Sequence, residues 1–227
     1  MLPLEKKARK DGFLVIIGID EAGRGPLAGP VVASAVFLKE YKFKSKIADS
    51  KKISPQEREE AFHEIWQKAH VGVGIMNESV IDQINILQAT YLAMNTAVRQ
   101  LMVNLKIPQQ NEEGFHKKVC LFVDGNRFKN EHPYTYKTII DGDEFVLSIA
   151  CASIVAKVIR DRILNIYDRV YPQYGFGRHK GYATLAHKRA LKEYGPSVIH
   201  RRSFHPDFSI LSEEDEDHYD YKATTIR

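Results

Sequence analysis

Only two of the 227 residues are cysteine. Cys120 and Cys151 each sit inside an apolar string. They are expected to be small core residues in a reducing compartment, which argues against a disulfide framework and a thiolate zinc site. No apolar run approaches the roughly 20 residues of a membrane span. The first eleven residues carry lysine and arginine without the apolar block of a secretion signal. These shortages lead to the expectation of a cytoplasmic protein. With 44% hydrophobic and 27% charged residues, the chain has the composition of a folded globule. One domain over residues 1–211 is expected, followed by an acidic tail at 212–227.

The tail holds six acids (Glu213, Glu214, Asp215, Glu216, Asp217, Asp220) against Lys222 and Arg227. It reads as solvated and disordered. Without it the net charge rises from +4 to +8, with 31 basic and 23 acidic residues. A body this basic is compatible with a polyanionic partner, and equally with ordinary surface charge.

Residues 13–19 form an apolar run that reads as a buried strand and ends in the adjacent acids Asp20 and Glu21. A loop rich in glycine and proline with a single arginine, Arg24, follows, and then a second apolar strand at 31–38. Ser54-Pro55-Gln56-Glu57 has the form of a capping box opening a helix to about residue 69. A short strand is expected at 71–76. Apolar steps of three and four from 79 to 105 predict one long amphipathic helix. Residues 108–114 read as a polar loop. Further strands are expected at 119–123 and 136–140, helices at 148–170 and 184–194, and a basic, aromatic loop at 171–182. The sum is an α/β fold with a helical C-terminal portion packed on its sheet.

Three strand ends carry acids: Asp20 with Glu21, Asp124, and Asp141 or Asp143. Any one of them alone is an ordinary turn residue. Together they suggest a site, because strand ends in α/β sheets are where sites are commonly built. Such a cluster raises carboxylate pKa values unless cations neutralise it. With oxygen donors only, the suited ions are Mg²⁺ or Mn²⁺. Two of them about 4 Å apart can activate water and stabilise a leaving oxygen in phosphodiester hydrolysis. Neighbours in a strand face opposite sides of the sheet. Asp20 and Glu21 are therefore expected to share a site by the chain leaving the extended form there.

The string Gly18-Ile19-Asp20-Glu21-Ala22-Gly23-Arg24-Gly25-Pro26 resembles the signature of the type 2 ribonuclease H family, specifically ribonuclease HII. Further blocks resemble it too: Asp49-Ser50-Lys51-Lys52, Val123-Asp124-Gly125, Gly142-Asp143 with the string from Ser148 to Asp161, His179-Lys180-Gly181-Tyr182, and His200-Arg201-Arg202-Ser203-Phe204. The resemblance selects Asp143 over Asp141. Asp141 stands where the family commonly has lysine.

What the resemblance implies is a ribonuclease H-like mixed sheet flanked by helices. The implied activity is cutting the RNA strand of RNA–DNA hybrids and nicking ribonucleotide-containing duplex DNA 5′ to a lone ribonucleotide, leaving a 3′-hydroxyl and a 5′-phosphate. Asp20, Glu21, Asp124 and Asp143 would hold the metals. Gly23, Arg24 and Gly25 would sense the 2′-hydroxyl, the group that distinguishes RNA from DNA. Tyr182 would stack on the sugar of the next deoxynucleotide; out of context it reads as a core aromatic. Lys51 and Lys180 are expected to contact phosphate. Lys157, Arg201 and Arg202 could be plain solvated charges, and His179 and His187 are expected to contact phosphate or to pack. A monomer is expected, and no sliding-clamp peptide is evident in the tail. Two rivals are ribonuclease HIII, whose loop usually has Gly-Lys-Gly or Gly-Thr-Gly, and a non-enzymatic nucleic-acid binder, which does not account for acids at three strand ends.

Overall fold

A computed structural model of the chain describes residues 2–105 and 113–205. The acidic tail at 212–227 and most of the loop at 108–114 lie outside the described residues.

The two opening apolar runs form β1 (Val15–Ala22) and β2 (Val31–Leu38), an antiparallel pair around the glycine-rich loop. β1 starts two residues later than the apolar run and continues through the two acids. The capping box opens α2 (Pro55–Lys68), where the Ser54 hydroxyl accepts from Glu57 N–H and the Glu57 carboxylate from Ser54 N–H. β3 (Ala69–Met76) pairs with β2, and α3 (Glu78–Asn104) crosses behind. β4 (Val119–Asp124) and β5 (Thr135–Ile139) extend the other side in parallel, giving the order β3-β2-β1-β4-β5. A mixed sheet of this kind needs cover on both faces. α3 covers one face, against Ile17, Ile19, Leu121 and Val123. α5 (Leu147–Val170) covers the other, preceded by the short α4 (Gly142–Phe145). α6 (Phe176–His179) and α7 (Leu185–Tyr194) complete the helical C-terminal portion.

The predicted long helix is not continuous. Asn85 sits at φ 64°, ψ 164°, and its side chain accepts from Leu87 and Gln88 N–H, so the second stretch starts with its own cap. Periodicity missed this because the apolar phase is kept across the break. The charged N-terminal stretch forms α1 (Pro3–Lys10). Its buried Glu5 carboxylate accepts from Ser148 N–H at 3.1 Å and from the Ser148 hydroxyl at 3.3 Å. That supplies the anion that the start of α5 otherwise lacks. α5 can lie close to the sheet because residue 18 is glycine: a Cβ there would fall 2.1 Å from the Ser148 carbonyl carbon. Cys120 and Cys151 are free and buried, as expected. Among the described residues, no helix is long and apolar enough to cross a membrane.

Candidate active site

Strand register builds the acidic cluster. β1 and β4 run parallel with Ile19 beside Val123, so the next positions bring Asp20 alongside Asp124. Both share the sheet face of Gly18 and Phe122, which α5 covers. β5 ends at Ile139 and turns through Asp141, in the left-handed region at φ 52°, into α4, which carries Asp143. Gly142 N–H donates to Asp124 Oδ1 at 2.8 Å and fixes that turn on β4.

Glu21 joins without the expected departure from the strand. The chain stays extended and paired with β2 through Ala22. β4 stops at Asp124, so Glu21 stands one position past the end of its neighbour and has no strand on that flank. Its side chain reaches around the sheet edge and lines hollows on both sides. One hollow, of about 370 Å³, is lined by Asp20, Glu21, Asp124 and Asp143 together with Gly23, Arg24, Gly25, Lys51, Lys157 and Tyr182. The other runs toward α3, past Tyr91, Met94 and Arg127.

The electrostatics are those of a crowded anion site. Burial, with Glu21 and Asp124 nearby, holds Asp20 well above the usual carboxylate range. Asp143 is pushed up to about 6 by burial and by the charges of Asp124 and Asp49. Burial also raises Asp124, against backbone N–H donors and the Lys51 charge. Glu21 is raised by burial but relieved by Arg24, which it meets at 3.3 Å. The donor set is all oxygen, suited to a hard divalent cation, and a cation would relieve the charge that burial penalises. As the side chains stand, no three acidic, thiol or imidazole groups among the described residues converge closely enough to hold an ion. Glu21 is turned to Arg24.

Of the predicted contact residues, Gly23, Arg24, Gly25, Lys51 and Tyr182 line the acidic hollow, with the Tyr182 side chain partly exposed. Lys180 does not. Its ammonium donates to Asn165 Oδ1 and to the Gly177 carbonyl. Lys157 lines the hollow but is paired with Asp161 at 2.7 Å.

Two site residues escaped the sequence. Arg160 and Arg201 are only 1% and 2% exposed. Arg201 donates to the carbonyls of Gly23, Arg24 and Gly29 at 2.5–2.9 Å. Arg160 donates to those of Ala28, Pro30 and Lys180 at 2.9–3.1 Å. The loop between β1 and β2 thus lies on a bed of two guanidiniums. Gly23 sits at φ +98°, and a Cβ there would fall 2.0 Å from Arg160 Nε, so this glycine is demanded by backbone and space alike. The buried Glu78 carboxylate lies near both arginines and offsets their charge. By sequence Arg201 could be a plain solvated charge, because no acid next to it marks a burial site. Only the C-terminal block that contains it hinted at more.

The ribonuclease HII family model matches residues 17–206, which include every one of these side chains. The chain belongs to the ribonuclease HII family. It is 47% identical over 203 residues to the ribonuclease HII of Syntrophus aciditrophicus (strain SB), covering 88% of each chain. It is 45% identical over 213 residues to that of Acholeplasma laidlawii, covering 93% of this chain and 98% of the relative. Among solved structures, the ribonuclease H2 of Pyrococcus horikoshii OT3 superposes with a TM-score of 0.63 at 24% identity, over 85% of this chain and 95% of that one. A ribonuclease HIII structure, Bst-RNase HIII in complex with Mn²⁺, superposes at 0.61 with 16% identity, over 89% of this chain and 70% of that one. At those identities the structures speak to the fold, which is the ribonuclease H fold expected from the sequence. Membership in the family makes this chain a ribonuclease H hydrolase, an endoribonuclease acting on RNA–DNA hybrids.

Proposed function

We propose that this family member, working in the cytoplasm, also nicks duplex DNA 5′ to a single embedded ribonucleotide, leaving a 3′-hydroxyl and a 5′-phosphate. The observation that carries the reading is the acidic hollow lined by the Gly23-Arg24-Gly25 loop and by Tyr182, whose ring lies beside Gly25. Asp20, Glu21, Asp124 and Asp143 would hold Mg²⁺ or Mn²⁺, which when bound would supply an activated water and stabilise the leaving oxygen. The loop, its carbonyls held from below by Arg160 and Arg201, offers its outer backbone to the 2′-hydroxyl. Arg24 restrains Glu21 before substrate enters. Lys51, at the rim, is placed for a phosphate. Lys180 is already bonded to Asn165 and Gly177 and reaches a phosphate only by giving those contacts up.

The test is cleavage of a DNA duplex containing one ribonucleotide. Product should appear with Mg²⁺ or Mn²⁺, vanish in EDTA and return when either ion is restored. Full activity in EDTA would end the metal reading.

The tyrosine has its own test. Tyr182 is 46% exposed and lines the hollow, so it is available to a sugar. Tyr182→Ala should lose the stack, worth about 1–3 kcal/mol, or roughly tenfold or more in kcat/KM on the single-ribonucleotide duplex. Tyr182→Phe keeps the ring and should cost much less. Equal behaviour of the two variants would remove stacking as the role.

A further inference from the structure

Behind Tyr182 lie three histidines that the chemistry at the acids does not use. His179 and His187 stack with centroids 4.3 Å apart, and His187 Nε2 meets His200 Nε2 at 3.0 Å. Phe176 and Tyr174 close the cluster. The contacts permit one set of neutral tautomers, assigned from the hydrogen-bond network. Gly181 N–H donates to His179 Nδ1 at 3.1 Å, so the His179 proton is on Nε2, where the Tyr174 carbonyl accepts it at 2.7 Å. Ser197 N–H donates to His200 Nδ1 at 2.9 Å, so His200 donates from Nε2 to His187. His187 therefore carries its proton on Nδ1 and donates it to the Tyr182 carbonyl at 2.9 Å. Burial lowers His187 and His200 to about 4, which agrees with three uncharged rings.

The far end of this chain of bonds is the other recognition element. His200 precedes Arg201, whose side chain holds Gly23 and Arg24 and whose N–H donates to the Leu27 carbonyl at 2.9 Å. Leu27 N–H in turn donates to the Gly181 carbonyl at 2.8 Å, next to Tyr182. The tyrosine segment, the glycine-arginine loop and residues 199–201 are strapped into one ring of hydrogen bonds.

We propose that His187 and His200 are positioning residues that set the Tyr182 backbone in register with the Gly23-Arg24-Gly25 loop, so that the ribonucleotide and the deoxynucleotide after it are read as one unit. This rests on the reading of Tyr182 given above. The effect of the histidines is exerted through Tyr182, and should therefore disappear when that ring is absent.

The experiment is a double-mutant cycle with the full chain, measuring kcat/KM on a one-ribonucleotide duplex and on an RNA–DNA hybrid. His187→Gln places an amide near the Nε2 position and takes the side-chain donor from the Tyr182 carbonyl, which keeps only the N–H of Thr184 at 2.8 Å. It should lower kcat/KM on the one-ribonucleotide duplex by about tenfold, and more than on the hybrid. His187→Asn places an amide N–H near the Nδ1 position and should recover most of that loss. In a Tyr182→Ala background, His187→Gln should cost less than about twofold more. A loss as large in that background as in wild type overturns the inference while leaving the reading of Tyr182 intact. Unimpaired Tyr182→Ala overturns that reading, and the inference with it. Should the His187 variants fail to fold, imidazole ¹⁵N shifts of the ¹⁵N-labelled wild-type chain decide. They are expected to place protons on His179 Nε2, His187 Nδ1 and His200 Nε2, and a proton on His187 Nε2 overturns the proposal.

Discussion

Asp124→Asn is expected to lower cleavage of an RNA–DNA hybrid by about a thousandfold or more, the scale of losing one electrostatic anchor of a transition state. The same change should make the metal-free protein more stable near neutral pH. Asparagine keeps the shape and can still accept from Gly142 N–H at Oδ1. What it removes is one negative charge from a buried set in which Asp20, Glu21, Asp124 and Asp143 are all raised. A carboxyl with a raised folded-state pKa contributes stability that is present below its ordinary value and is lost as pH rises through the folded value. For Asp143 that window runs from 3.8 to about 6. The melting-temperature advantage of metal-free Asp124→Asn over metal-free wild type should thus be larger at about pH 7 than at about pH 5; the comparison cancels the buried His187 and His200, which act in the opposite direction over this range in both chains. At neutral pH the variant should melt about 2–4 °C higher, the equivalent of roughly 1 kcal/mol in a chain of this size. Calorimetry in EDTA beside single-turnover cleavage with Mg²⁺ checks both halves. Near-normal turnover would make Asp124 a turn residue.

The second large effect concerns the bed under the loop. Arg201→Met keeps much of the stem but leaves the carbonyls of Gly23, Arg24 and Gly29 without their donor. Each stranded buried carbonyl costs about 1–3 kcal/mol. A combined loss of about 3–5 kcal/mol is expected, as when one side of a buried polar network is removed. The melting temperature should drop by about 10 °C, and cleavage should fall even where the variant remains folded. Arg201→Lys should not rescue, since a single ammonium cannot span carbonyls that the planar fork reaches together. Urea midpoints, with cleavage measured well below the transition, provide the test. A variant as stable and as active as wild type would show that the loop does not depend on this guanidinium.

The acids were legible because each stands at or just past the end of an apolar run, and sheet topology then gathers what the chain separates by more than a hundred residues. The manner in which Glu21 joins was not legible. It depends on β4 ending two positions before β1 does, and a register between distant strands leaves no trace in local spacing. The Asn85 break hid inside an unbroken apolar phase. α1 hid in a short basic stretch whose helix is held by the burial of Glu5 against Ser148, a contact 143 residues away. Arg160 and Arg201 were the hardest to place. Arginine is ordinarily a surface residue, and here its partners are carbonyls, which every residue has.

The reach of Arg201 also bears on when the enzyme becomes competent during synthesis. Its guanidinium meets the Gly23 carbonyl across 178 positions of sequence. The strand pair carrying Asp20 and Glu21 emerges early from the ribosome, but with loop carbonyls that only water can satisfy. Contacts of such separation form last, because the chain between them must first be ordered. A nascent polypeptide that already holds Asp20, Glu21, Asp124 and Asp143 is therefore expected to lack an ordered loop beside them until the stretch through residue 201 has been released to fold.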